Sequence, residues 1–248
     1  MPALAGRVAV VTGADQPLGR GLALALGTAG AAVGLVGAAR ALAAVTAELD
    51  ARGARATAVD TALSDAAGVT TAFATVADEL GAPVCVVVHT AMEPAAFDPM
   101  PFEEVDDDRF DAIWEGTMHA ALAVLQASFA QMRGRGGQIL LVTPTVGMSG
   151  VPGLAPYAAA LEGQRLLAKS AARQWGPDGI RVNCLAPAPE QVPIGVRSVD
   201  VSLAPAALGG PGDAEHDLGP VAVFLAGDDA HFVTGATIGV DGGVWMAP

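Results

Sequence analysis

Short runs of Val, Ile, Leu and Ala alternate along this chain with longer Ala-rich stretches in which apolar residues recur at helical spacing. Short runs that are apolar at nearly every position suit strands buried on both faces, and the alternation predicts a parallel sheet with helices on both sides. Strands are expected near Val8 to Thr12, Ala32 to Gly37, Ala54 to Val59, Val84 to His89, Gln138 to Thr143, Arg181 to Leu185 and Thr237 to Val240. The main helices are expected over about Asp106 to Met132, Pro156 to Trp175 and Asp217 to Ala226. The fold class is therefore α/β: a single domain over residues 1–248 with a doubly wound parallel sheet of about seven strands.

A sheet of this kind places its ligand at the carboxyl ends of the strands, where strand order reverses. The Pro- and Gly-rich stretch Ala188 to Gly212 lacks helical period and is expected to form a lid over that edge. No stretch reaches the roughly 18 uninterrupted apolar residues of a membrane span, and Met1 to Gly6 shows no leader pattern, so a cytoplasmic protein without membrane contact is expected.

A formal charge of −13 and scattered Arg residues argue against a nucleic-acid partner. The acidic cluster Glu103, Glu104, Asp106, Asp107 and Asp108 precedes an amphipathic run and suits a helix start better than a metal site. Cys85 and Cys184 lie in separate apolar runs and are expected as reduced, buried thiols. No metal is expected.

Four stretches carry a resemblance: Val10-Val11-Thr12-Gly13 with Gly19; the lone Tyr157; Arg181-Val182-Asn183; and Val233-Thr234-Gly235 leading to Asp241-Gly242-Gly243. In order and spacing they resemble the short-chain dehydrogenase/reductase superfamily, which implies a Rossmann-type fold and an NAD or NADP cofactor. On that resemblance Gly13 and Gly19 belong to the phosphate-binding turn, whose middle glycine is replaced here by Pro17, with Asp15 adding negative charge. Pro17 also fits the first turn of a helix, with the loop closed up around it. After the second strand, where the family carries an acid for the ribose or an Arg for a 2′-phosphate, the chain reads Gly37-Ala38-Ala39-Arg40, so only Arg40 remains to help. The family's adenine-contacting Asp falls on Ala62, two residues past Asp60. Its Asn-Asn-Ala-Gly segment becomes His89-Thr90-Ala91-Met92, with a long side chain for the last glycine and a structural role expected for His89.

The catalytic Asn, Ser, Tyr and Lys implied by the resemblance fall on Thr117, Pro144, Tyr157 and Leu161. Only the tyrosine is kept. Phenol has a pKa near 10 and makes a poor base without a nearby cation, and the one lysine, Lys169, lies about 18 Å farther along the helix axis. Thr143 and Thr145 flank Pro144, but strand side chains alternate in direction, so neither is expected to replace the serine without a bulge. Glu162 follows Leu161 and is expected on the surface, pointing away from Tyr157.

These departures lead to the expectation of a catalytically degenerate subunit with a vestigial Tyr157, vestigial Gly13, Gly19 and Arg40, and no bound cofactor. Its partner is expected to be an active homologue, of a kind that oxidises hydroxyacyl-CoA, or a second copy of the chain. Contact is expected through helices 106–132 and 156–175, with the face Ala158, Ala159, Leu161, Arg165, Leu166, Ala168 and Ala172, and through the C-terminal region 217–246, with Trp245 and Met246 over the partner's pocket or packed in the interface. One alternative is an active NAD(P)-dependent oxidoreductase, reducing a ketone or oxidising a secondary alcohol around Tyr157. Another is a small-ligand or redox-free proton-transfer protein using Tyr157, His89 or Glu162.

Overall fold

The computed structural model describes residues 2–192, 205–210 and 212–246. Its centre is a seven-stranded, all-parallel sheet in the order β3-β2-β1-β4-β5-β6-β7, formed by β1 (Val8–Thr12), β2 (Ala32–Gly37), β3 (Ala56–Asp60), β4 (Val84–His89), β5 (Gly137–Val142), β6 (Ile180–Pro187) and β7 (Thr237–Val240). Side-chain alternation divides the core between the two faces of the sheet. Ala9, Val11, Val33, Leu35, Val86, Val88 and Leu140 pack with α1 (Pro17–Thr28), α2 (Ala39–Ala51) and α8 (Gly219–Ala226) on one face. Val8, Val10, Val87, Ile139 and Val182 pack with α3 (Ala66–Leu80), α5 (Ala120–Met132) and α7 (Ala155–Trp175) on the other. Each fully buried Val or Leu contributes about 1.5–3 kcal/mol through removal from water, so both layers are needed to hold the sheet.

Several strand and helix boundaries depart from the pattern-based expectation. The third strand begins at Ala56 rather than Ala54, because the Ala54 amide bonds the Leu49 carbonyl to close α2, and Gly53 turns the chain with φ +79°. The sixth runs on to Pro187, where it still pairs with Val240 of β7. The long helix expected from Asp106 to Met132 is three pieces: α4 (Asp107–Trp114), a π-helical turn at Glu115–His119, and α5. Asp106 caps α4 by accepting from the Arg109 amide, which gives the acidic cluster its structural role. A second π turn, Ala214–Leu218, leads into α8, whose Pro220 lacks the N–H that a regular helix would use there.

Order reverses between β1 and β4, which lie side by side with Thr12 opposite His89. The crevice outside this point is where an open α/β sheet holds a ligand. Of the expected lid, residues 193–204 and 211 lie outside the described residues; Pro189–Gln191 form a short 3-10 turn, and Val192 is buried. Among the described residues, no helix is long and apolar enough to cross a membrane. Cys85 is only half-buried, while Cys184 is buried; both are free thiols.

Candidate active site

The turn after β1 is built by packing. Gly13 has φ +73°, and a Cβ there would lie 2.6 Å from Thr90 Oγ1, while one on Gly19 would lie 2.3 Å from the Gly13 carbonyl oxygen. Both positions therefore require glycine for the turn to sit on the end of β4, where the Thr90 hydroxyl donates to the Thr12 carbonyl at 2.8 Å. Pro17 is the first residue of α1, where its missing N–H costs no helical hydrogen bond. Gln16, the N-cap, is extended (φ −99°, ψ 152°) and makes no side-chain capping bond, so the helix start keeps its unpaired amide character. The expectation that the loop closes up around Pro17 is corrected here. Pro17 lines the wall of an open cleft of about 770 Å³ rather than filling it, and the turn has not closed up.

That cleft runs along the carboxyl edge from Gly37, Ala38, Asp60 and Ala62 past Gly13, Asp15 and Pro17 to Thr90, Met92, Glu93 and Phe97. Ala62 and Asp60 both reach it, whereas Arg40, exposed at the start of α2, does not line it. The charged residues that line it are Asp15, Asp60, Glu93 and Asp98, with no Arg, Lys or His among the described lining residues. The cleft is large enough for a dinucleotide, and the uncapped α1 start suits a phosphate, but the carboxylates weaken the site for an anion.

Tyr157 sits in the first turn of α7, fully buried among Ala96, Phe97, Ile113, Val146, Leu154 and Leu161. Phe97 meets its ring edge-on at 5.5 Å, and its hydroxyl donates to the thioether of Met92. Burial pushes the Tyr157 phenol well above its usual range, and Arg165 acts in the opposite direction. The view of Tyr157 as a phenol stripped of its cation is thus corrected. Arg165, two helical turns beyond Tyr157, is itself buried; one guanidinium nitrogen donates to the carbonyls of Thr143 (2.6 Å) and Pro144 (2.8 Å) and the other pairs with Glu162. Burial lowers the Arg165 pKa, while Glu162 and the phenol favour its charge.

Leu161, in the lysine position, belongs to the apolar cluster, and Lys169 is exposed farther along α7. Pro144 contributes only its carbonyl, which accepts from Arg165 and from the Gly147 amide, and the Thr145 hydroxyl and amide both bond the Pro187 carbonyl. Thr117 lies buried in the π turn, and its carbonyl accepts from the Ala120 amide and from the Gln164 side chain at 3.1 Å. Glu162 is half-exposed, as expected. His89 Nδ1 bonds the Thr12 hydroxyl at 2.7 Å, and burial pulls its pKa down to about 4, so it is neutral and structural near pH 7. Of the α7 face assigned to a partner, Leu161, Arg165, Ala168 and Ala172 are buried within the chain itself, while Ala158, Ala159 and Leu166 are partly or fully exposed.

The residues that sequence reasoning missed are Arg165, Gln164 and Phe97. The helical period gave a signal for the first, since Arg165 lies eight positions after Tyr157 on nearly the same helix face. No pattern marked the other two.

Residues 13–245 match the family described as enoyl-(acyl carrier protein) reductase, and with this fold and glycine turn the chain belongs to the short-chain dehydrogenase/reductase superfamily. It is 31% identical to the 3-oxoacyl-[acyl-carrier-protein] reductase of Pseudomonas aeruginosa, over 98% of this chain and 99% of that one. It is 30% identical to an NADPH-dependent aldehyde reductase-like protein of Arabidopsis thaliana, over 97% and 94% of the two chains. Among solved structures, a putative short-chain alcohol dehydrogenase from Sinorhizobium meliloti superimposes with a TM-score of 0.86 at 30% identity, covering 97% of each chain. These findings overturn the expectation of a catalytically degenerate subunit, because the proteins matched end to end are named as reductases.

Proposed function

We propose that this chain is an NAD(P)-dependent oxidoreductase that interconverts a carbonyl compound and its alcohol, with Tyr157 as the proton donor. The observation that carries the reading is the open cleft of about 770 Å³, which runs from the glycine turn to Met92, the side chain bonded to the Tyr157 hydroxyl. The α1 start and the Gly13 turn are the groups to hold a pyrophosphate, and the wall from Gly37 to Ala62 is the one to hold the adenosine. With no carboxylate at Gly37-Ala38 to take a ribose diol and Arg40 just beyond, NADP(H) is the better match for this end.

A reduced nicotinamide, when bound, supplies the hydride. The chain supplies the proton: the Tyr157 hydroxyl donates to the carbonyl oxygen, and solvent returns a proton to the phenolate afterwards. The buried Arg165 charge opposes the cost of that phenolate, the task a lysine one turn from the tyrosine performs in the pattern that this chain resembles. The carbonyls of Thr143 and Pro144 hold the guanidinium in place, so the cation is fixed by the end of β5 rather than by a flexible stem.

The test is to titrate NADPH and NADH into the isolated chain by calorimetry and to follow nicotinamide absorbance with a panel of ketones and aldehydes. NADPH is expected to bind more tightly than NADH, and Tyr157→Phe to bind NADPH as well as the wild type while losing at least about 100-fold in turnover. Absence of binding by either coenzyme at millimolar concentration would defeat the reading.

A further inference from the structure

We propose that Met92 is a shutter over Tyr157, holding the phenol out of the cleft until an uncharged, apolar carbonyl substrate displaces the thioether. The inference rests on the oxidoreductase reading above. The wall of the cleft reaches Met92, Glu93 and Phe97 but stops short of Tyr157. Away from the cleft, Tyr157 borders a void of only about 10 Å³, shared with Ala96, Ile113 and Leu154, room for at most one water and for no substrate. A proton donor with no access to its acceptor cannot act, so the side chain between them has to move. Met92 is suited to that movement: an unbranched thioether has three rotatable bonds and is easily repacked.

The contact itself indicates what replaces it. The thioether is a weak acceptor at the place where a carbonyl oxygen would accept the Tyr157 proton, so a substrate exchanges a weak hydrogen bond for a stronger one. The surroundings select the substrate. The cluster around the phenol, including Phe97, Ile113 and Leu154, is apolar, and the carboxylates of Glu93 and Asp98 line the adjoining cleft. An anionic substrate meets like charge there, while a neutral apolar one loses nothing. Met92 thus acts as a specificity-determining residue, setting the size and polarity of what reaches the phenol.

Tyr157 is the single tyrosine of the chain, so tyrosinate absorbance reports on it alone. Arg165 acts on the phenol electrostatically, and Asp98 and Arg109, which pair with each other, line the small void beside it; all three are unchanged by substitution at Met92. In Met92→Ala, with folding checked by circular dichroism, Tyr157 is expected to ionise at a pH lower than in the wild type by about one unit or more. Met92→Leu, which keeps the cover, is expected to titrate as the wild type does. With NADPH, Met92→Ala is expected to raise kcat/KM for bulky aryl ketones about tenfold, and a keto ester is expected to outperform the corresponding keto acid. A Met92→Ala titration that superimposes on the wild type overturns the shutter whatever the kinetics show, and a keto acid reduced as fast as its ester overturns the substrate class. A shifted titration in a chain that binds neither coenzyme supports the cover and overturns the oxidoreductase reading instead.

Discussion

The two ends of one cleft respond in opposite ways to changes of motif residues. At the glycine-turn end, Pro17 stands where the family pattern has glycine and Ala62 where it has aspartate, yet the cleft stays open, because Pro17 occupies a helix position that needs no N–H and Ala62 lines the space. At the tyrosine end, Met92 stands where the family pattern has another glycine, and there a long side chain reaches the Tyr157 hydroxyl, while the cleft wall includes Met92 but not Tyr157. The loss of lysine at Leu161 has a third outcome, since a cation two turns away acts on the same phenol. What a substitution does depends on whether backbone or side chain did the work at that position, and on what else lies within electrostatic reach.

The largest expected effect is at Arg165, which would break the contrast if the tyrosine end needs no cation. Arg165→Met removes a buried charge and leaves the Thr143 carbonyl without its guanidinium donor, while the Pro144 carbonyl keeps only the Gly147 amide. A fall of about 100-fold in kcat/KM is expected, with a stability loss of roughly 2–4 kcal/mol. Arg165→Lys is expected to recover part of both, and the distinguishing readout is the pH profile: the alkaline limb of kcat/KM should move to higher pH in Arg165→Met. An unmoved limb would reduce Arg165 to a structural brace.

A second effect sharpens the boundary between the two ends, where His89 of β4 bonds Thr12 of β1. His89 has its folded pKa lowered to about 4 from an ordinary 6.5 by burial, so between those values the unfolded chain binds a proton that the folded chain does not. Stability therefore falls as pH drops through that window, by roughly 3 kcal/mol at its acid end. Chemical denaturation at a series of pH values should show this slope in the wild type and lose most of it in His89→Gln. An equal slope in both proteins would mean that His89 is not buried in its neutral form.

The sheet was legible because buried parallel strands are short apolar runs, and four of the seven expected strands, β1, β2, β4 and β7, match residue for residue. The two π turns were not, because a widened turn leaves the apolar period nearly intact and differs only in its i→i+5 backbone hydrogen bonding. Tyr157, Gly13 and Gly19 were legible from their spacing. The effect of Met92 was not, since sequence shows the length of a side chain but not where it reaches. Arg165 was hidden for a related reason: it appeared to belong to an Ala-rich exterior face, and only the packing of α7 on the end of β5 turns it inward. A lost motif residue is not an independent change, because the site is held together by contacts between positions.

The smallest expected effect tests the quieter half of the comparison, that Pro17 tunes the glycine-turn end without blocking it. Pro17→Gly restores one backbone N–H at the start of α1, beside amides that already lack a side-chain cap. A single added donor to a phosphate is worth about 1 kcal/mol net, so coenzyme affinity should rise by only about two- to fivefold. The same change removes a residue whose fixed φ suits the first helical turn and frees the unfolded chain, so stability should fall by about 0.5–1 kcal/mol. The two signs are opposite and separable, affinity by calorimetry and stability by denaturant midpoint. A gain in affinity of a hundredfold or more would mean that proline had been obstructing the site after all, and the contrast between an open end and a shuttered end would then be lost.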